Sequence, residues 1–205
     1  MTDQAPYVLS LDTALDKTGV AKIELVDGAC RAYTWVISTD RTEDRTVAER
    51  CARIGDIGRQ FARIWSPGDP LPVMVGIEAA ALGAKWGEAH TRAGVWYWLI
   101  MPLHLAGVPI YEVAPTCLKR WAVGHGGSPK RPVEKRHMVE AMRQMWPGVQ
   151  CTHYDVRHHE CEALGIGQMG CQHLAWPVPI RRHHGDPLSV VKWPANARQM
   201  TAPRQ

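Results

Sequence analysis

The sequence predicts an α/β domain whose mixed sheet has three antiparallel strands followed by helix-linked strands, flanked by helices. Three observations carry that expectation. Short β-rich runs with turn formers between them open the chain. The hydrophobic period then lengthens from two residues to between three and four. Beyond that change, short apolar runs alternate with helical stretches, the order that joins strands through crossover helices.

Residues 7–11 (YVLSL), 19–25 (GVAKIEL) and 32–37 (AYTWVI) are the opening runs, and turn formers including Asp27-Gly28 fold them into an antiparallel meander. Over residues 46–65, Val47, Cys51, Ile54, Ile57, Phe61 and Ile64 recur at spacings of three and four, the stripe of an amphipathic helix that Ser66-Pro67-Gly68 stops. A buried strand is expected over 73–77 (VMVGI), a long apolar helix over 88–106 and a strand over 110–113. Pro115 suits the first turn of a helix carrying CLKRWAV, and the glycines and prolines of GHGGSPKRP mark a loop. Helices are expected over 133–146 and 155–172. From Pro177 the prolines crowd and periodicity vanishes, so the chain divides into one domain over 1–176 and a basic, proline-containing tail over 177–205.

A chain of 205 residues, 45% hydrophobic, suffices for one well-buried core. The most apolar segment, GVWYWLIMPLHLAGV, is shorter than the roughly 18 uninterrupted residues of a membrane span and contains a proline and a histidine. With neither a basic leader nor a long apolar stretch in MTDQAPYVLSLD, the expected location is the cytoplasm. The six cysteines are scattered, as reduced thiols are. Cys151, His153, His158, Cys161, Cys171 and His173 lie close in sequence, but without CxxC spacing a structural zinc is not expected. The net charge of +4 belongs to the tail, where five basic residues face one acidic residue. Such a tail suits a polyanion, although solvated basic extensions have the same composition.

Asp12 ends the first apolar run and Glu78 ends VMVGI, so both stand at strand termini. On the last expected helix, Asp155, His158, His159 and Glu162 fall at i, i+3, i+4 and i+7 and share a face. Singly, these are also a turn former, a solvated carboxylate and a polar helix stripe. Together they supply hard oxygen ligands and a nitrogen, a set that holds Mg²⁺ or Mn²⁺.

With those residues in place, the sequence resembles the RuvC family of Holliday junction resolvases, which have the ribonuclease H-like fold and include phage-type members. LDTALDKTGVA (11–21) resembles the family's first strand, turn and second strand, and VGIEAA (75–80) the strand of its second carboxylate. PIYEVAPTCLKRWAVGHGG (109–127) is similar to its strand, helix and glycine-bearing loop, and HECEALGIG (159–167) to its closing acidic helix. The resemblance spans about residues 7–170 and rests on the order and spacing of the motifs. It implies that Asp12, Glu78, His159 and Glu162 bind two divalent ions, Mg²⁺ or Mn²⁺, and hydrolyse phosphodiesters of four-way or branched DNA to 5′ phosphate and 3′ hydroxyl, in recombination and repair. It also implies a homodimer; the apolar helix with Trp96, Trp98, Leu99, Met101 and Leu105 is a candidate dimer surface, and a helix sandwiched inside the monomer would have the same composition.

Three departures from the family pattern stand out. His159 and Glu162 occupy positions where many members have two aspartates, so Asp155 and His158 are the alternative ligands on the same face. Lys119, with Arg120 beside it, is a candidate phosphate contact, and Lys130 and Lys135 compete for a second basic position, with Lys135 preferred as the start of a helix. After Glu78 the chain has Ala79, Ala80, Ala81 and Leu82 where bacterial members often carry a stacking aromatic, and Trp86 is the nearest candidate. Two rival readings share the fold: a related nuclease acting on RNA, and a catalytically silent nucleic-acid-binding protein.

Overall fold

The computed structural model describes residues 5–39, 46–79, 88–149 and 154–195, with side chains in the last two stretches described from 89 and from 158. The three opening runs form β1 (Tyr7–Asp12), β2 (Lys17–Val26) and β3 (Ala29–Ser38), paired antiparallel. Asp27 and Gly28, both at positive φ, make the tight turn from β2 to β3. β4 (Met74–Glu78) lies parallel beside β1, and β5 (Ile110–Val113) lies parallel beside β4, which gives the five-stranded order β3-β2-β1-β4-β5. This is the expected mixed sheet.

The helices are α1 (Val47–Phe61), α2 (Glu88–Leu105), α3 (Pro115–Val123), α4 (Lys135–Met145), α5 (Tyr154–His173) and a short α6 (Gly185–Ser189). α1 starts on a reciprocal cap in which Thr46 and Glu49 satisfy each other's backbone N–H groups. Each face of the sheet has its own core. On one, Leu9, Leu11, Val75 and Ile77 pack with Ile57 and Phe61 of α1 and Leu99 and Leu103 of α2. On the other, Val8, Met74 and Tyr111 pack with Trp121 of α3, Met142 of α4 and Ile166 of α5. No helix among the described residues is long and apolar enough to cross a membrane.

The segment expected as a tail differs from a solvated extension as far as it is described. Val178 and Val191 are buried, and the His184 ring stacks on Trp121 with centroids 4.3 Å apart. Trp193 stacks on His173 at 4.1 Å, and Arg181 donates to the carbonyl oxygens of Ala122 and Ala141. Isolated aromatic and polar residues at irregular intervals make these contacts, so no sequence period announces them. Residues 177–195 therefore pack against α3, α4 and α5, and 196–205 lie outside the described residues.

Candidate active site

Strand parity aims the two strand-end carboxylates. Successive side chains alternate faces, and in β1 Tyr7, Leu9 and Leu11 enter the core beneath α1 and α2 while Val8 and Ser10 face α5. Asp12 continues the Val8–Ser10 row. In β4, Val75 and Ile77 face α1 and α2, whereas Met74 and Gly76 face α5, and Glu78 continues that second row. β1 and β4 are neighbours in parallel register, so both carboxylates reach the same end of the sheet, at the C-terminal ends of these strands, on one face.

α5 crosses that face unusually closely. The Ser10 hydroxyl donates to the Ala163 carbonyl at 2.7 Å and the Tyr111 hydroxyl to the Ile166 carbonyl at 2.6 Å. Gly19, the cross-strand partner of Asp12, admits the helix backbone: a Cβ there would stand 2.0 Å from the His159 carbonyl oxygen. Thr18 fastens the preceding turn, its hydroxyl donating to the Ala14 carbonyl at 2.9 Å. The Thr-Gly pair thus fixes both the loop beneath the site and the height of the helix above it.

As a result His159 Nδ1 lies 2.5 Å from Asp12 Oδ2 and 4.0 Å from Glu162 Oε2. These side chains and Glu78 line a cleft of about 250 Å³, bordered by the cationic side chains of Arg92, Lys119 and Lys135. His158 also lines it. Burial pushes the Glu78 carboxyl well above the ordinary carboxylate range, and adjacent Asp12 and Glu162 push it the same way, with Lys119 opposing. Glu162 is raised by burial and by Asp12, against Lys119 and Lys135.

The structure therefore brings Asp12, Glu78, His159, Glu162, Lys119 and Lys135 to one cleft. Arg120 and Lys130 are exposed and do not line it. Trp86 and the Asp155 side chain lie outside the described residues. The Trp96 indole N–H donates to the Glu78 carbonyl at 3.0 Å, tying α2 to the end of β4, and Arg92 sits one turn earlier on α2. Sequence reasoning missed Arg92, because its place at the cleft follows from this tether rather than from a motif.

No family model matches the chain, and no curated protein matches it by sequence. Solved structures do match. Thermus thermophilus RuvC aligns with a TM-score of 0.59 at 18% identity, over 85% of this chain and 99% of that one. T. thermophilus RuvC in complex with a Holliday junction substrate aligns at 0.58 and 18% identity, over 79% and 90%. The Fowlpox virus resolvase, complexed with Holliday junction DNA, aligns at 0.52 and 13% identity, over 82% and 98%. Likeness at these identities is a likeness of fold: the chain shares the fold of these RuvC and resolvase structures, built on its five-stranded mixed sheet.

Proposed function

We propose that this chain is a divalent-metal-dependent DNA endonuclease that resolves Holliday junctions and related branched DNA by paired phosphodiester hydrolysis, leaving 5′ phosphate and 3′ hydroxyl ends. The observation that carries this reading is the convergence of three carboxylates and an imidazole on one lysine-bordered cleft, in a RuvC-form fold. Two of the similar solved structures hold Holliday junction DNA, which supports the choice of substrate.

The donor set fits a hard divalent cation. Oxygens dominate it, His159 adds one nitrogen, and Glu78 and Glu162, pushed upward by burial and by the charge of Asp12, are carboxyls whose ionised form a bound cation would favour. Asp12, Glu78, His159 and Glu162 would hold Mg²⁺ or Mn²⁺, two ions per site, and the metal would supply water activation and charge neutralisation at the phosphate. Lys119 and Lys135 hold the flanking phosphates by charge. The Asp12–His159 contact fixes the imidazole beside the carboxylates, so His159 would add its nitrogen to the oxygen ligands of the cation.

Paired nicks on a two-fold symmetric junction require two sites, and a homodimer provides them. α2 offers a surface for it: Tyr97, Trp98, Met101 and Leu105 are exposed, Leu105 at 78%, beside an apolar groove of about 730 Å³ against α1. Light scattering at micromolar protein is expected to give a dimer for the wild type and a monomer for Leu105→Glu, with the variant nicking singly. A wild-type monomer that still makes paired nicks would remove the dimer from the mechanism.

Cleavage of a synthetic four-way junction with Mg²⁺ or Mn²⁺, beside linear duplex and a branched RNA of the same shape, tests the whole reading. Selective, symmetric junction cutting is expected. Binding without cutting would make the protein a silent junction binder, equal cutting of linear duplex would remove junction selectivity, and preference for RNA would reassign the substrate.

A further inference from the structure

We propose that His158 is a further metal-binding side chain of the cleft, making the site rich enough in nitrogen to prefer Mn²⁺ over Mg²⁺. The inference rests on the metal-dependent nuclease reading and assigns a ligand that the RuvC resemblance does not supply.

Three observations meet at this residue. His158 is 3% exposed, yet it lines the cleft together with Asp12 and Glu162. Neighbours on an α-helix diverge by about 100°, but the rings of His158 and His159 lie 3.8 Å apart between centroids at an interplanar angle of 40°. The two side chains have thus turned toward each other over the same space. Third, His158, His159 and Glu162 each present one ligand atom, and those atoms all lie within 4.8 Å of one another. Ligands about 2.1 Å from a common ion stand at most about 4.2 Å apart, so a small side-chain adjustment gathers all three around one cation.

The chemical consequence lies in metal choice. Mg²⁺ favours an octahedral shell of oxygens, including several waters. Imidazole is a borderline ligand that suits the transition metals, whose affinity at a given nitrogen and oxygen site rises along the first row. One histidine among three carboxylates leaves the site hard. Two, both neutral at the coordinating nitrogen, move it toward Mn²⁺ and make it a strong binder of later ions such as Co²⁺.

Pulsed electron paramagnetic resonance on the full chain loaded with Mn²⁺ counts coordinated imidazole nitrogens directly. Two are expected in the wild type, and one each in His158→Gln and His159→Gln. Calorimetry should show the Mn²⁺ Kd of His158→Gln raised on the order of tenfold or more, with a smaller change for Mg²⁺, so the Mn²⁺ preference narrows. A wild-type count of one nitrogen, lost only in His159→Gln, would overturn this inference and leave the nuclease reading standing. Failure of the wild type to take up Mn²⁺ at all would overturn the metal-dependent reading itself. The wild-type count involves no substitution, so the outcome does not depend on how well either variant folds.

Discussion

Asp12→Asn is expected to slow Mg²⁺-supported cleavage of a four-way junction by on the order of a thousandfold or more, since a metal centre supplies several kcal/mol of transition-state stabilisation and each 1.4 kcal/mol or so is tenfold in rate. Junction binding should persist, because Lys119 and Lys135 are untouched. Asp12 is the residue chosen because the cluster is built around it: His159 Nδ1 is 2.5 Å away, and Glu78 and Glu162 are each displaced upward by its charge and by a hydrogen bond to it. The same substitution should stabilise the fold when no metal is present. Glu78 and Glu162 hold protons in the native state at pH values where the unfolded chain has released them, so the native state binds more protons and stability falls as pH rises from the ordinary carboxylate range toward the raised values. Asparagine removes the charge that opposes their ionisation and keeps an oxygen to accept from His159. In chelator at pH 8, the variant should therefore melt above the wild type, a difference that shrinks by pH 5. Added Mg²⁺ should raise the wild-type Tm more at pH 8 than at pH 5 and raise that of the variant little. Single-turnover cleavage and thermal denaturation check the two halves separately. A variant that cuts at the wild-type rate would place the chemistry elsewhere, and one that melts lower in chelator at pH 8 would show that the carboxylate is held by more than it repels.

The position of these carboxylates at strand ends is legible in the amino-acid sequence alone, for a simple reason. Asp12 and Glu78 each end a short run whose hydrophobic residues alternate or are continuous, and strand parity is the strongest local rule available, so their position at strand ends follows directly. The amphipathic period of α1 is equally plain, with Ile57 and Phe61 on its buried stripe. α5 is harder. Its polar face has the spacing of a solvated stripe, and only contact with the sheet turns it inward, where His158 is buried and His159 nearly so. That contact depends on glycines in elements far apart in sequence, which no window of neighbouring residues registers. The stretch from 177 to 195 gives no local signal for a related reason: its anchors, His184 on Trp121 and Trp193 on His173, are single residues whose partners lie on α3 and α5. Arg92 and the choice of Lys135 over Lys130 show the same division. A helix start favours Lys135, and it does line the cleft, whereas nothing local distinguishes Arg92 from any other arginine of the chain.

Among the described glycines, Gly19→Ala should be the most damaging single-methyl addition. The new Cβ would face the His159 carbonyl oxygen at 2.0 Å and the carbonyl carbon at 2.2 Å, both backbone atoms, so no flexible side chain can move aside. The gap must open by about 1 Å, a displacement that on its own can cost a hundredfold in rate when it moves a reacting group. β2 cannot give way, because it is paired on both sides, with β1 at Asp12 and with β3 at Val36. α5 cannot lift as a body either, because Ser10 and Tyr111 hold the carbonyls of Ala163 and Ile166 further along. What remains is to pivot or unwind the N-terminal turns of α5, which carry His158 and His159. The expected result is a loss at or above the upper end of roughly 1–3 kcal/mol for overpacking, together with at least a hundredfold loss of cleavage and weakened Mn²⁺ binding. Gly148→Ala, where a Cβ meets nothing within 4 Å, is the matched control and should change stability by no more than about 0.5 kcal/mol. Stability loss without loss of metal binding would mean that the helix re-seats around the methyl and that the height of α5 does not set the site. Loss of metal binding in a variant that still folds would show that a glycine with no functional group positions the ligands of the cleft, through the distance it permits between a strand and a helix.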